Sequence, residues 1–148
     1  MTDILHRISI SAPIARVYKA ISTRSGLINW WTWHVTGEPT PGAIFRFRFG
    51  GGTVDVEVLE HSADCRVRWR CVGGPQDWIG TEIDFDLMSA AMRRAETVVN
   101  FRHMGWHDPG EHMAQCNTAW AYSLLSLKAW VEGGRGTPYP EDQGNLWT

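Results

Sequence analysis

PGEHMAQCNTAWAYSLLSLKAWVE, Pro109 to Glu132, is the stretch on which the fold of this chain turns. Met113, Cys116, Trp120, Leu124, Leu127 and Val131 recur in it at spacings of three and four, the period of one apolar stripe on a helix. Asp108-Pro109-Gly110-Glu111 predicts the start, with an acidic N-cap, Pro at the first helical position and a Glu placed to close a capping box. Gly133-Gly134 predicts the stop. At ~1.5 Å per residue the stretch makes a rod of roughly 36 Å, enough to cross a small domain. The remainder is therefore expected to be a sheet curled around this helix.

The segments before it support that arrangement. Ile4, Ile8 and Ile10 alternate with polar residues as in a strand. Pro13 sets the first turn of a short helix with Ile14, Val17 and Ile21 on one face, and Ser22 to Ile28 predict a second short helix interrupted by Gly26. An aromatic patch without clear period, Asn29 to His34, follows. Beyond Pro39 and Pro41 come strands whose parity is informative. Phe45, Phe47 and Phe49 oppose Arg46 and Arg48; Val54, Val56 and Val58 oppose Asp55 and Glu57. Cys65, Val67, Trp69 and Cys71 oppose Arg66, Arg68 and Arg70. Over Ile79 to Leu87, Ile79, Thr81, Ile83, Phe85 and Leu87 oppose Glu82, Asp84 and Asp86. Over Arg94 to His103, Ala95, Thr97, Val99, Phe101 and His103 oppose Glu96, Asn100 and Arg102. The sign of the outward charges alternates from strand to strand, as an antiparallel meander with one wet face selects. The arginines therefore read as a solvated sheet face with acidic neighbours, not as a nucleic-acid patch.

Bulk properties narrow the function. The 148 residues make one domain with room for a core, expected over residues 1–134, with a Gly- and Pro-rich tail over 135–148 on the surface. A formal charge of −2 and a pI near 6.3 produce no field that would gather nucleic acid or an anionic membrane. No apolar run approaches the ~20 residues that span a bilayer, and the N-terminus does not read as a signal peptide. Three cysteines, an odd number in a chain too large to need staples, point to a reducing cytoplasm. Cys65 and Cys71 lie roughly 20 Å apart along one strand, too far to bridge. Nine tryptophans are the anomaly, and they suit a large core or the lining of a pocket.

The order of strand, two short helices, antiparallel meander and long C-terminal helix resembles the helix-grip fold, α+β, of the START-like (SRPBCC) superfamily. The motifs Ser11-Ala12-Pro13 through Val17-Tyr18-Lys19-Ala20, Gly26-Leu27 leading to Trp30-Trp31, Gly42 through Phe47, and Trp78-Ile79-Gly80-Thr81 carry the resemblance further. So do Thr97 through Trp106, and Trp120 through Leu124, Leu127 and Lys128. Together they are similar to the branch named for the activator of heat-shock protein 90 ATPase, over roughly Ile4 to Pro138. The resemblance implies a cavity between the long helix and the concave sheet face that holds apolar or aromatic small molecules. It also implies an alternative as a chaperone-interaction module, and a third as a cyclase or hydrolase.

Candidate residues follow from the aromatic content, the strand parity and, for the cavity itself, the resemblance. Trp30, Trp31, Phe45, Phe47, Trp69, Trp78, Phe85, Phe101 and Trp120, with Leu124, are the expected lining, whose bland alternative is a solid aromatic core. His103, at the end of the last strand on the same face, is the one candidate acid/base or ligand donor. His103, His107, Asp108, Glu111 and His112 form a polar cluster, but Gly105, Pro109 and Gly110 break any helix that would align them, so no metal and no cofactor is expected. Paired inward carboxylates, a Ser/His/Asp set and a phosphate loop do not appear, so the expectation leans away from an enzyme. Cys71 and Cys116 read as buried small hydrophobes. Ala119, Tyr122, Leu125 and Ala129 make a weakly polar outer helix face, covered in part by the tail or the two short helices, or else by a second copy in a homodimer.

Overall fold

Alternation of apolar and charged residues builds most of this molecule, and the computed structural model describes residues 2–90, 95–142 and 146–147. The elements in chain order are β1 (Thr2–Ile10), α1 (Ile14–Ser22), α2 (Arg24–Leu27), β2 (His34–Gly37), β3 (Ile44–Phe49), β4 (Gly52–Ser62), β5 (Arg66–Gly73), β6 (Glu82–Ser89), β7 (Thr97–Trp106) and α3 (Glu111–Gly133). The seven strands form one open antiparallel sheet in the order β1-β7-β6-β5-β4-β3-β2. The sheet curves around α3, so the fold is α+β and helix-grip in kind.

The stripe of α3 is buried as its spacing predicts. Cys116, Trp120, Leu124 and Leu127 are at most 3% exposed, and Met113 packs on the same cluster. Its start differs from expectation. The helix begins at Glu111 with Gly110 in the cap position and no side-chain cap, so the Asp108/Glu111 capping box does not form. At the other end Gly134 adopts the left-handed conformation at φ 78° and returns its N–H to the Trp130 carbonyl at 2.8 Å. The two short helices are held together by an absence of side chain. A Cβ on Gly26 would lie 2.6 Å from the Ala20 backbone, so α1 and α2 meet backbone to backbone only with Gly there. Thr23 Oγ1 caps α2 by accepting from Gly26 N at 3.0 Å.

Three departures come from the sheet. β2, which starts where the aromatic patch ends and is not expected from the sequence, is an edge strand pairing with β3 and burying Val35. β6 begins at Glu82 and not at Ile79, because Gly80 sits at φ 88° and the segment before it turns, leaving Ile79 41% exposed. The start of the last strand at Arg94 lies outside the described residues, as do 143–145 and 148 of the tail. The charged face carries the expected opposite-sign neighbours. Arg46 sits opposite Asp55 and bonds it at 2.8 Å. On β5 and β6 the register sets Arg68 beside Asp84, yet the bonds run diagonally, Arg66 to Asp84 at 2.8 Å and Arg68 to Glu82 at 2.7 Å, as strand twist favours. Asp84 is not on a wet face after all. With Arg68 and Arg102 as its cross-strand partners and Arg66 bonding both its oxygens, it is 1% exposed.

Candidate functional site

Every expected lining residue faces the space between the sheet and α3. Trp30, Trp31, Phe45, Phe47, Trp69, Trp78, Phe85, Phe101, His103, Trp120 and Leu124 are each at most 1% exposed. Trp120 on α3 is the hub. Its ring lies 4.4 Å from Phe101, 4.9 Å from Trp31 and 6.2 Å from Trp78, centroid to centroid. Trp31 is 4.3 Å from Phe47 and stacks with Trp69 at 6.3 Å. Such separations are those of aromatic rings in direct contact. The rings are in contact with one another across the space they line.

His103 is the polar centre of this interior. Thr81 Oγ1 donates to the Trp78 carbonyl at 2.5 Å, so its bond with His103 Nε2 at 2.8 Å requires the imidazole to donate. Nδ1 accepts from Trp120 Nε1 at 3.1 Å. The ring is therefore neutral and protonated on Nε2, with both nitrogens engaged. Burial, and to a smaller degree the charge of His112, push its pKa down to about 3. A base whose one lone pair is held by Trp120 has none to offer a substrate.

The other polar groups of the region are settled in different ways. Burial raises the Cys71 and Cys116 thiols to about 11, with the Trp78 indole partly offsetting this at Cys116, so neither is a nucleophile at neutral pH. His112, from the tempting loop cluster, turns outward and bonds Asp77 at 2.9 Å. No three His, Cys, Asp or Glu side chains converge as metal ligands among the described residues. Two indole N–H groups, Trp31 Nε1 and Trp106 Nε1, are buried with no acceptor among the described residues. Trp78 Nε1 is also buried without a hydrogen bond, the weakly accepting Cys116 sulfur being its neighbour.

Four residues join the site that sequence reasoning did not place there. A bulge between Val58 and Glu60 shifts the parity of β4, so that His61 turns inward and accepts from Trp69 Nε1 at 3.1 Å while Glu60 turns to Arg68. Phe49 and Ser123 lie at the mouth. Trp147, in the tail, packs on Trp120, Trp78, Phe49 and Trp31 at 4.9, 5.6, 5.7 and 5.8 Å and donates to Ser123 Oγ at 2.9 Å. The alternation of β4 carries no mark of the bulge, and nothing local to Trp147 foretells a partner so distant in the chain. The outer face of α3 also changes. Ala119 is fully buried, and Tyr122 and Ser126 bond Thr137 of the returning tail, which leaves Leu125 at 57% exposed and Ala129 as its open part. No helix among the described residues is long and apolar enough to cross a membrane.

Comparison with known proteins agrees with this architecture. Residues 11–132 match the family described as Activator of Hsp90 ATPase homolog 1-like protein. The solution structure of the Aha1 dimer from Colwellia psychrerythraea is similar at 40% identity, covering 92% of this chain and all of that one, with a TM-score of 0.82. CalU16 from Micromonospora echinospora shares the fold at 20% identity and a TM-score of 0.75, over 95% of this chain and 71% of its own. Protein BH1534 from Bacillus halodurans does so at 20% and 0.71, over 89% and 98%. Among curated proteins no match was found.

Proposed function

We propose that this chain, which belongs to the Activator of Hsp90 ATPase homolog 1-like family, binds a small apolar or aromatic molecule between its sheet and α3 without transforming it. The observation that carries this reading is the pair of indole donors, Trp31 Nε1 and Trp106 Nε1, buried in an aromatic interior with no acceptor among the described residues. A buried donor left unpaired costs about 1–3 kcal/mol, and each one in a folded protein calls for an explanation. An oxygen-bearing aromatic guest would pair such donors and stack on the rings beside them. Apolar linings with a few polar anchors are what small-molecule sites consist of. In this reading His103 holds Trp120 and Thr81 in place and is not an acid/base group.

Native mass spectrometry of protein purified from its own host tests the proposal. A small molecule retained through gentle desolvation and released by unfolding is the expected result. A ligand so found should raise the melting temperature of the wild-type chain, and Phe47→Ala and Trp120→Ala should abolish that rise. Retention that survives both substitutions would move the site elsewhere.

The 40% identity to a protein called Aha1 favours a second reading, as an interaction module that stimulates a heat-shock protein 90 ATPase. Steady-state ATPase assays with the cognate chaperone check it, and a flat response disposes of it. The dimer formed by that neighbour likewise motivates a homodimer here, with exposed Leu125 at the contact, which sedimentation of the wild-type and Leu125→Glu chains would test. The free thiols of Cys65, Cys71 and Cys116 support a cytoplasmic setting for either reading.

A further inference from the structure

Trp147 occupies the site in the manner of a ligand. Its indole is enclosed by four rings, those of Trp31, Phe49, Trp78 and Trp120, each at most 3% exposed, whereas Trp147 itself is only partly buried. Three of those rings meet it edge to face, at interplanar angles of 71° to 79°, and Phe49 is tilted at 39°. The one polar contact of its side chain goes to the hydroxyl of Ser123, which is 3% exposed. On its outer side lies an open cleft of about 390 Å³ lined by Phe49, Val54, Gly74 and Pro75. A second gap of about 40 Å³ beside it is lined by Trp78, Cys116, His112 and Gln115. The half-buried indole thus lies between the open cleft and the buried rings. Leu146 meets α3 through a bond of 3.4 Å from Gln115 Nε2 to its carbonyl.

We propose that the mouth formed by these four rings and Ser123 is a binding site for a planar bicyclic aromatic carrying one ring N–H or O–H donor, and that Trp147 fills it while that molecule is absent. The shape follows from the indole that already fits, and the donor follows from Ser123 Oγ, which accepts in the structure. A group carried on the same chain competes as a tethered ligand, at an effective concentration set by its tether. Free ligand must therefore outcompete the tail, and removing the tail's indole relieves that competition. The inference rests on the ligand-binding reading above and specifies the class of ligand and what displaces it.

Free indole and N-methylindole are the probes, titrated into full-length wild-type and Trp147→Ala chains and followed by ligand-observed NMR and thermal melting. Trp147→Ala should bind indole at least about tenfold more tightly than wild type, since the competent state is no longer self-occupied. N-methylindole, lacking the donor, should bind Trp147→Ala roughly five- to tenfold more weakly than indole, as loss of one net hydrogen bond implies. Adding Ser123→Ala should erase that difference. Equal indole affinity in wild type and Trp147→Ala, or equal affinity of Trp147→Ala for the two probes, overturns the proposal. Should Trp147→Ala not fold, the Trp147 indole N–H resonance of the wild-type chain decides the matter. Excess indole should move it to its solvent-exposed position, and a resonance unmoved by saturating indole overturns the proposal. The two readings fail separately. Indole entering Trp147→Ala while host-purified protein carries no small molecule sinks only the ligand-carrier reading. A retained host molecule whose affinity Trp147→Ala leaves unchanged sinks only the present one.

Discussion

The two faces of the sheet obey different physics. On the concave face Phe45, Phe47, Trp69, Phe85 and Phe101 are fully buried and meet one another and Trp120 ring to ring. On the convex face Arg46, Arg66, Arg68 and Arg70 meet Asp55, Asp84 and Glu82 in a ladder of ion pairs, most of it open to water. Ring burial is worth kilocalories per side chain, while an exposed ion pair is screened and contributes little. The concave face therefore holds the fold and the charged face keeps the sheet soluble and in register. On each face a titratable side chain drawn fully inside is an exception to the pattern. On the concave face it is His103 and on the convex face Asp84.

That contrast can be broken at its strongest point first. Trp120→Ala removes the hub ring and orphans His103 Nδ1, and should cost about 3–5 kcal/mol in urea unfolding. A loss below about 1 kcal/mol would mean the interior collapses around the gap and the hub assignment is wrong. Acid should expose the concave exception next. His103 is held neutral to about pH 3 when folded but takes a proton near its ordinary value of 6.5 when unfolded. A lowered folded pKa gives stability that is complete above pH 6.5 and lost as the pH falls from there toward 3, at a limiting slope of about 1.4 kcal/mol per pH unit. Burial of His61 acts in the same direction. Chemical denaturation from pH 7 to 4 should show the decline, and His103→Gln should flatten part of it.

The convex exception comes third. Asp84→Ala strands Arg66, whose side chain is 36% exposed and can recover water, so a loss of about 1–3 kcal/mol is expected in denaturant melts. Arg46→Ala, which breaks an ion pair on an open arginine, should leave the melting temperature unchanged within error. Were Arg46→Ala as damaging as Asp84→Ala, the two faces would not differ in the way described.

Much of this arrangement was legible before any coordinates. The α3 stripe from Met113 to Val131, the inward parity of Phe45, Phe47, Trp69 and Phe101, and the alternating charge of the outer face are local periodicities. A helix or strand writes them directly into the order of residues. The inward placing of His103 followed from that parity, whereas Trp30 and Trp31, in a patch without period, and Trp78, outside the alternation, did not. Two missed features share a cause in non-local geometry. His61 turned inward through a bulge whose position depends on β5, and Asp84 was buried by arginines from two other strands. The capping box does not form because Gly110, in extended backbone and without a side chain, takes the cap position.

What the sequence determined by itself is the set of faces, because side-chain direction depends on period and period is local. It determined that a helix of this length must lie across a sheet with one apolar and one charged side. Only the tertiary structure decided which aromatic side chains meet ring on ring, that His103 carries its proton on Nε2 between Thr81 and Trp120, and that Trp147 packs over Trp120 and donates to Ser123. Those outcomes depend on distances between residues far apart in the chain, and such distances exist only once the sheet has curved around α3.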